Sequence, residues 1–161
     1  NEFMDLAKRV WRIAGQPPDL FAQIDAMLQR IRRDRGSASD ELDFKTGLGG
    51  VIEAEFLVQA LQMRVGIWEP RMLAALDKLA EASVMKKADA EILRRSYEYL
   101  RAVGSALRRW ENKSVSTLPA DKAEQEKLAV RAGAKSLDAF AQSHREARTG
   151  VHAIYSKYFN G

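Results

Sequence analysis

The 161-residue sequence has no cysteine, which excludes a disulfide framework and any thiolate metal site. Lys and Arg number 26 against 22 Asp and Glu, a formal charge of +4 with the signs interspersed, so no long basic block demands nucleic acid. Hydrophobic residues make up 46% of the chain, enough for one core, yet no apolar run reaches the roughly 18 residues of a membrane span and no signal peptide is visible.

Proline is scarce, alternating strand-like patterns are absent, and no repeat is found, so the expectation is an all-α bundle of about six or seven helices with short loops and no sheet. A first helical stretch covers about Met4 to Ala14 and is stopped by "GQPPD". A second runs from about Asp19 to Arg33, with Leu20, Ile24, Met27, Leu28 and Ile31 on one side. "RGSASDELD", from Arg35 to Asp43, reads as a polar connector. The third helix follows Gly49-Gly50 and ends at "GIWEP". Its seam is Val51, Ala54, Val58, Leu61 and Val65.

The fourth helix is expected to open at Pro70 or Arg71, because proline suits a first helical turn. Leu73, Leu76, Leu79 and Ala80 form its apolar stripe. After the corner "SVMKKAD", a long helix reaches about Trp110 through Ile92, Tyr99, Leu100, Val103 and Leu107. "NKSVSTLP" is the next connector. "PADKAEQEKLAVRAG" has proline first, carboxylates early and glycine last, the order of a short capped helix. The final helix carries Leu137, Phe140, His144, Ala147, Val151, Ile154 and Tyr158 at steps of three and four.

Chemistry concentrates at the entrance to the third helix, "DFKTGLGGVIEAEF". Gly47, Gly49 and Gly50 allow sharp turns and close backbone approach. Lys45 and the free N–H groups of a helix start could hold a phosphate. Glu53 and Glu55 would repel it unless a cation intervenes. The stretch is no Walker loop, because "GLGG" lacks the glycine–lysine–hydroxyl ending. The other reading is a tight corner in which Glu53 takes up free N–H groups. Two residues on a helix are about 200° apart, so the glutamates need separate partners. Glu53 would reach Lys45 or an N–H group, and Glu55 would face a neighbouring domain.

These residues resemble the motif of the bifunctional glutamine synthetase adenylyltransferase/adenylyl-removing enzymes, an Asp–x–Lys–x–Gly–x–Gly–Gly–x–Arg–Glu–x–Glu–Phe pattern followed by Val-Gln and a further glutamine. Asp43, Lys45, Gly47, Gly49, Gly50, Glu53, Glu55, Phe56, Val58, Gln59 and Gln62 match it. "EP" at Glu69-Pro70, "YEYLR", "STLP", "LAVRAG" and the spacing of His144, Val151 and Phe159 follow in order. The resemblance implies the helical domain that follows a nucleotidyltransferase domain, related to helical domains of the PII uridylyltransferases. It implies a parent enzyme that adds AMP to, or removes it from, a tyrosine of glutamine synthetase with ATP and Mg²⁺. Glutamine synthetase or a PII-type regulator is then the expected protein partner, and the cytoplasm the expected location. The catalytic Gly-Ser…Asp-x-Asp signature of the parent is not found, and "GSASDELD" reads as a loop. Where the pattern has arginine this chain has Ile52, which neither neutralises Glu55 nor grips a phosphate.

The expectation is therefore a single helical domain over residues 1–161, excised from a longer chain with an upstream nucleotidyltransferase domain, since "NEFM" opens without an initiator methionine. Excised, it has no catalytic residue, metal site or cofactor of its own. Asp43, Lys45, Gly49, Gly50, Glu53 and Glu55 are expected to face the nucleotide cleft. The alternative is a free-standing helical interaction module with no nucleotide link. His144 and His152 read as hydrogen-bonded core or rim histidines, and Trp11, Trp68 and Trp110 as packing residues. The arginines of "RRDR" and "LRRW" read as solvated.

Overall fold

The computed structural model describes residues 2–35, 41–111 and 116–160. Most of "GSASDELD" and half of "NKSVSTLP" lie outside them. Seven helices occur among the described residues: α1 (Glu2–Ala14), α2 (Leu20–Arg35), α3 (Val51–Val65), α4 (Met72–Glu81), α5 (Lys87–Glu111), α6 (Lys122–Arg131) and α7 (Leu137–Phe159). No strand is present there, only an isolated antiparallel bridge between Asp43 and Thr117. The all-α bundle expected from the sequence is what forms. None of these helices is long and apolar enough to cross a membrane.

α3 is the axis of the bundle, touching α1, α2, α4, α5 and α7. That position explains its composition. Val51, Ala54, Leu57, Val58, Ala60 and Leu61 are all buried, on more than one side of the helix. The seam read from periodicity, widened by Phe56, Ala60, Met63 and Ile67, misses Leu57, which lies on the side of Glu53 and is fully buried, and includes Val65, which is 43% exposed. Met27 and Ile92, also expected to face inward, are exposed because they sit at the margins of their stripes. Leu76, Leu79, Leu93, Leu100, Leu107 and Leu128 bring three further helices, α4, α5 and α6, into the same core.

Two helix starts differ from expectation for local reasons. α4 begins at Met72 with Arg71 as its N-cap residue, since the Glu69 carboxylate holds both the Arg71 N–H and its guanidinium at 3.1 Å. α6 begins at Lys122, because the Asp121 side chain accepts from the Glu124 N–H at 3.0 Å and so caps the helix two residues beyond Pro119. Ser136 caps α7 in the same way through the Ala139 N–H. At the end of α3, Gly66 adopts φ 72, a left-handed conformation that closes the helix with its N–H on the last carbonyls.

The contrast within α3 is measurable. Leu57→Ala should cost about 2–5 kcal/mol in urea unfolding, while Val65→Ala should stay within about 0.5 kcal/mol. Equal costs at the two positions would contradict the all-round burial described here.

Candidate functional site

The segment before α3 is shaped by its own backbone. The Leu118 N–H donates to the Leu42 carbonyl at 2.8 Å, anchoring the segment to the chain ahead of α6. The Asp43 carboxylate, 3% exposed, accepts from the N–H groups of Lys45 and Thr46 at 3.0 and 2.8 Å and from the Thr46 hydroxyl. This is an aspartate turn, in which the side chain replaces a backbone acceptor. Gly50 N–H then donates to the Gly47 carbonyl, Val51 N–H to Phe44 and Ile52 N–H to Lys45, at 2.9, 3.0 and 3.0 Å. The Gly50, Val51 and Ile52 donors, which a helix start would otherwise leave open, are thus taken by main-chain carbonyls. The geometry is the tight corner, and those N–H groups are not directed at a phosphate.

The glycines answer to the same packing. Gly49 has φ +70, and a Cβ there would stand 2.0 Å from the Arg148 carbonyl of α7. At Gly50 a Cβ would stand 2.7 Å from the Lys45 carbonyl. Close backbone approach is real, and what approaches is α7. The Arg148 guanidinium in turn donates to the Leu48 carbonyl at 2.9 Å and to that of Glu41.

Glu53 is 1% exposed. One of its oxygens accepts from the Gly49 N–H at 3.1 Å and from the Arg32 guanidinium; the other lies 2.7 Å from Nδ1 of His152. Arg32 also donates from Nε to the Thr46 carbonyl at 3.1 Å. The basic partner of Glu53 is therefore Arg32 of α2, not Lys45, and the N–H it takes is that of Gly49 ahead of the helix. Beside this cluster the Tyr155 hydroxyl donates to Asp25 at 2.8 Å, and burial followed by that carboxylate pushes the phenol up. Lys45 is half-buried, and no hydrogen bond or ion pair of its ammonium is found among the described residues.

Glu55 points elsewhere, as the helical rotation requires. It accepts from the Tyr97 hydroxyl at 3.0 Å, and Tyr97 is pushed up to about 12, first by burial and then by the Glu55 charge. Both residues line a cavity of about 420 Å³ with Trp11, Trp68, Gln59 and Gln62. Trp68 meets Trp11 edge-on at 5.3 Å between ring centroids. At the rim, Glu69 is held by Arg71 and Lys78, whose hydrogen bonds bring its carboxyl down to about 2. Of the six expected cleft residues, Glu55 lines this cavity, whereas Asp43, Lys45, Gly49, Gly50 and Glu53 do not.

The two histidines, both expected to be hydrogen-bonded, differ from each other. His144 is 5% exposed, and neither ring nitrogen has a hydrogen-bond partner among the described residues. It packs among the rings of Phe44, Tyr99 and Phe140 at 6.0–6.5 Å, acting as an aromatic core residue. Burial, then the Arg148 charge, lowers its pKa to about 4. His152 is the hydrogen-bonded one, through Glu53. Arg32, read as solvated, and His152 were not legible as site residues, because they stand 21 and 99 positions from Glu53. Trp11, Trp68 and Trp110 are packing residues as expected, the last beneath the Arg131 guanidinium at 4.1 Å.

Comparison with known proteins adds an independent line. The family described as GlnD PII-uridylyltransferase matches residues 19–159. Proteins named bifunctional glutamine synthetase adenylyltransferase/adenylyl-removing enzyme are similar to most of the chain. The one from Methylococcus capsulatus is 31% identical over 152 residues, 91% of this chain and 15% of its own length. The Bradyrhizobium diazoefficiens protein is 30% identical over 167 residues, 98% of this chain and 16% of its own. That of Stenotrophomonas maltophilia strain K279a is 38% identical over 96 residues, 56% and 10% respectively. The chain thus spans no more than 16% of the length of these relatives.

Two outcomes follow from the buried groups. Arg32→Ala should cost about 3–5 kcal/mol in urea unfolding, because it leaves the Glu53 carboxylate buried without its cation; a change below about 1 kcal/mol would show that the pair is dispensable. His144 has a folded pKa below its unfolded 6.5, so the unfolded chain takes up the proton first. Its contribution is complete above pH 6.5 and is lost as pH falls towards 4, by on the order of 3 kcal/mol. His144→Phe should flatten that part of the stability–pH curve, and an unchanged slope would count against the assignment.

Proposed function

Since this chain belongs to the GlnD PII-uridylyltransferase family, we propose that it is a non-catalytic helical domain working beside a nucleotidyltransferase domain of the same polypeptide. In this reading it walls the nucleotide cleft and contacts the protein that is modified or that regulates the modification. Glutamine synthetase or a PII-type regulator is the protein proposed, from the names of the relatives and of the family.

The observation that carries the reading is the cavity at Glu55. It is concave, has aromatic walls in Trp11, Trp68 and Tyr97, and holds the Gln59 amide beside Gln62, whose Nε2 donates to the Glu69 carbonyl at 2.9 Å. Such a surface suits a flat heteroaromatic base, which stacks on rings and hydrogen-bonds to amides. The carboxylate of Glu55 and its Tyr97 donor would orient the base or a water, while the phosphates point away from the two acids. Lys45 lies outside this cavity; its ammonium, with no partner among the described residues, is proposed as a cation for a phosphate on the entrance side. Asp43, Gly49, Gly50 and Glu53 act here by holding the entrance in shape and not by touching nucleotide.

The cavity residues do not make a magnesium cage. Glu55 offers one carboxylate and that of Glu69 is already taken by Arg71 and Lys78. No group of three histidine or carboxylate side chains able to hold a metal occurs among the described residues. Within this proposal Mg²⁺ is held by the neighbouring domain, and the ATP that it accompanies is shared between that domain and the Glu55 cavity.

The test uses the longer polypeptide. Glu55→Gln and Tyr97→Phe should each raise the KM for nucleotide about 10-fold, and Lys45→Ala should lower nucleotide affinity by a similar factor. Nucleotidyl transfer and nucleotide affinity unchanged in all three variants would defeat the role.

A further inference from the structure

α1 is attached to the bundle by one side. Among the described residues it touches α3 alone of the helices and has no buried residue, and it is pinned by Trp11, whose Nε1 donates to the Ile67 carbonyl at 3.1 Å. Its apolar stripe looks the other way. Phe3, Leu6, Val10 and Ile13, at steps of three, four and three, are 57–73% exposed. Four large apolar side chains on one helical face are the pattern of a buried stripe. On the structure Leu6, Val10 and Ile13 of this stripe are each more than half exposed.

Three occupants could cover it, and magnitudes separate them. A second copy would bring another stripe of four side chains, on a helix of 13 residues about 20 Å long. Such a contact falls below the roughly 1,200 Å² of a stable association. A lipid surface favours a strongly basic helix, whereas α1 sets Glu2 and Asp5 against Lys8, Arg9 and Arg12. A domain in the same polypeptide needs no large area, because covalent linkage supplies an effective concentration of about millimolar. The relatives hold such additional chain: 98% of this sequence aligns with the Bradyrhizobium protein yet spans only 16% of it. α1 also lies outside the family match, which begins at residue 19.

We propose that the stripe Phe3, Leu6, Val10 and Ile13 is the face on which another domain of the same polypeptide docks through an apolar patch. The inference rests on the functional reading only in requiring such a domain. Because α1 also supplies Trp11 to the Glu55 cavity, docking on its outer face would place that domain beside the cavity. Complementary charge is expected around the patch: basic opposite Glu2 and acidic opposite Arg9 and Arg12.

Hydrogen exchange on the longer polypeptide and on the 161-residue chain provides the test. The amides of residues 6–13 should exchange at least about 10-fold more slowly in the longer polypeptide. Leu6→Asp with Val10→Asp should abolish the difference, while protection of α5 and α7 shows that the bundle is still folded. Equal exchange of α1 in the two proteins overturns the proposal. A dimer of the 161-residue chain that the same double variant dissolves, seen by sedimentation, overturns it in favour of a second copy. Binding to phosphatidylserine vesicles lost in that variant overturns it in favour of lipid. Protected α1 with nucleotidyl transfer indifferent to Glu55→Gln would remove the functional reading and leave the docking face standing. Unprotected α1 with transfer impaired by Glu55→Gln would do the reverse.

Discussion

The structure depends on a carboxylate where a central helix would ordinarily carry an apolar side chain. Glu53 sits inside the bundle and joins Arg32 of α2, His152 of α7 and the Gly49 N–H of the entrance turn to α3. A buried charge is costly unless it is paired and its remaining lone pairs are used. Here both oxygens are engaged, so the charge fixes the relative position of three helices and one turn. Apolar packing alone, being non-directional, would leave that register less defined.

The glycine-rich entrance takes its form from this arrangement. α7 passes so close that only hydrogen fits at Gly49, and Asp43 folds the chain back on itself just ahead. The turn hands its carbonyls to the first N–H groups of α3. A motif that on paper suits a phosphate is, in three dimensions, spent on connecting helices. Short glycine motifs are ambiguous for this reason: the backbone freedom that admits a ligand equally admits a neighbouring helix.

Chemistry available to an outside molecule lies on the other side of α3, where Glu55 meets Tyr97 in a cavity floored by helix and walled by tryptophan. The two glutamates of one motif thus serve different ends because 200° of rotation separates them. One is consumed by the architecture and the other is presented at a concave surface. α1 contributes to that surface through Trp11 while keeping its own apolar stripe outside.

Much of this was legible in one dimension. Periodicity, scarce proline and the turn clusters determined about six or seven helices and their approximate limits, because helix formation depends on neighbours three and four residues apart. The caps are local in their chemistry, with Asp121 and Ser136 acting on N–H groups three residues on, yet the sequence pattern placed the start of α6 at Pro119. The rotation between Glu53 and Glu55 likewise followed from spacing alone. Tertiary structure decided the rest. It made α3 the axis, so that Leu57 is buried and Val65 is not. It chose Arg32 and His152 as the partners of Glu53 and left His144 without one. Those outcomes depend on contacts 21 to 107 positions apart, and no local pattern encodes which distant side chain arrives first at a buried charge.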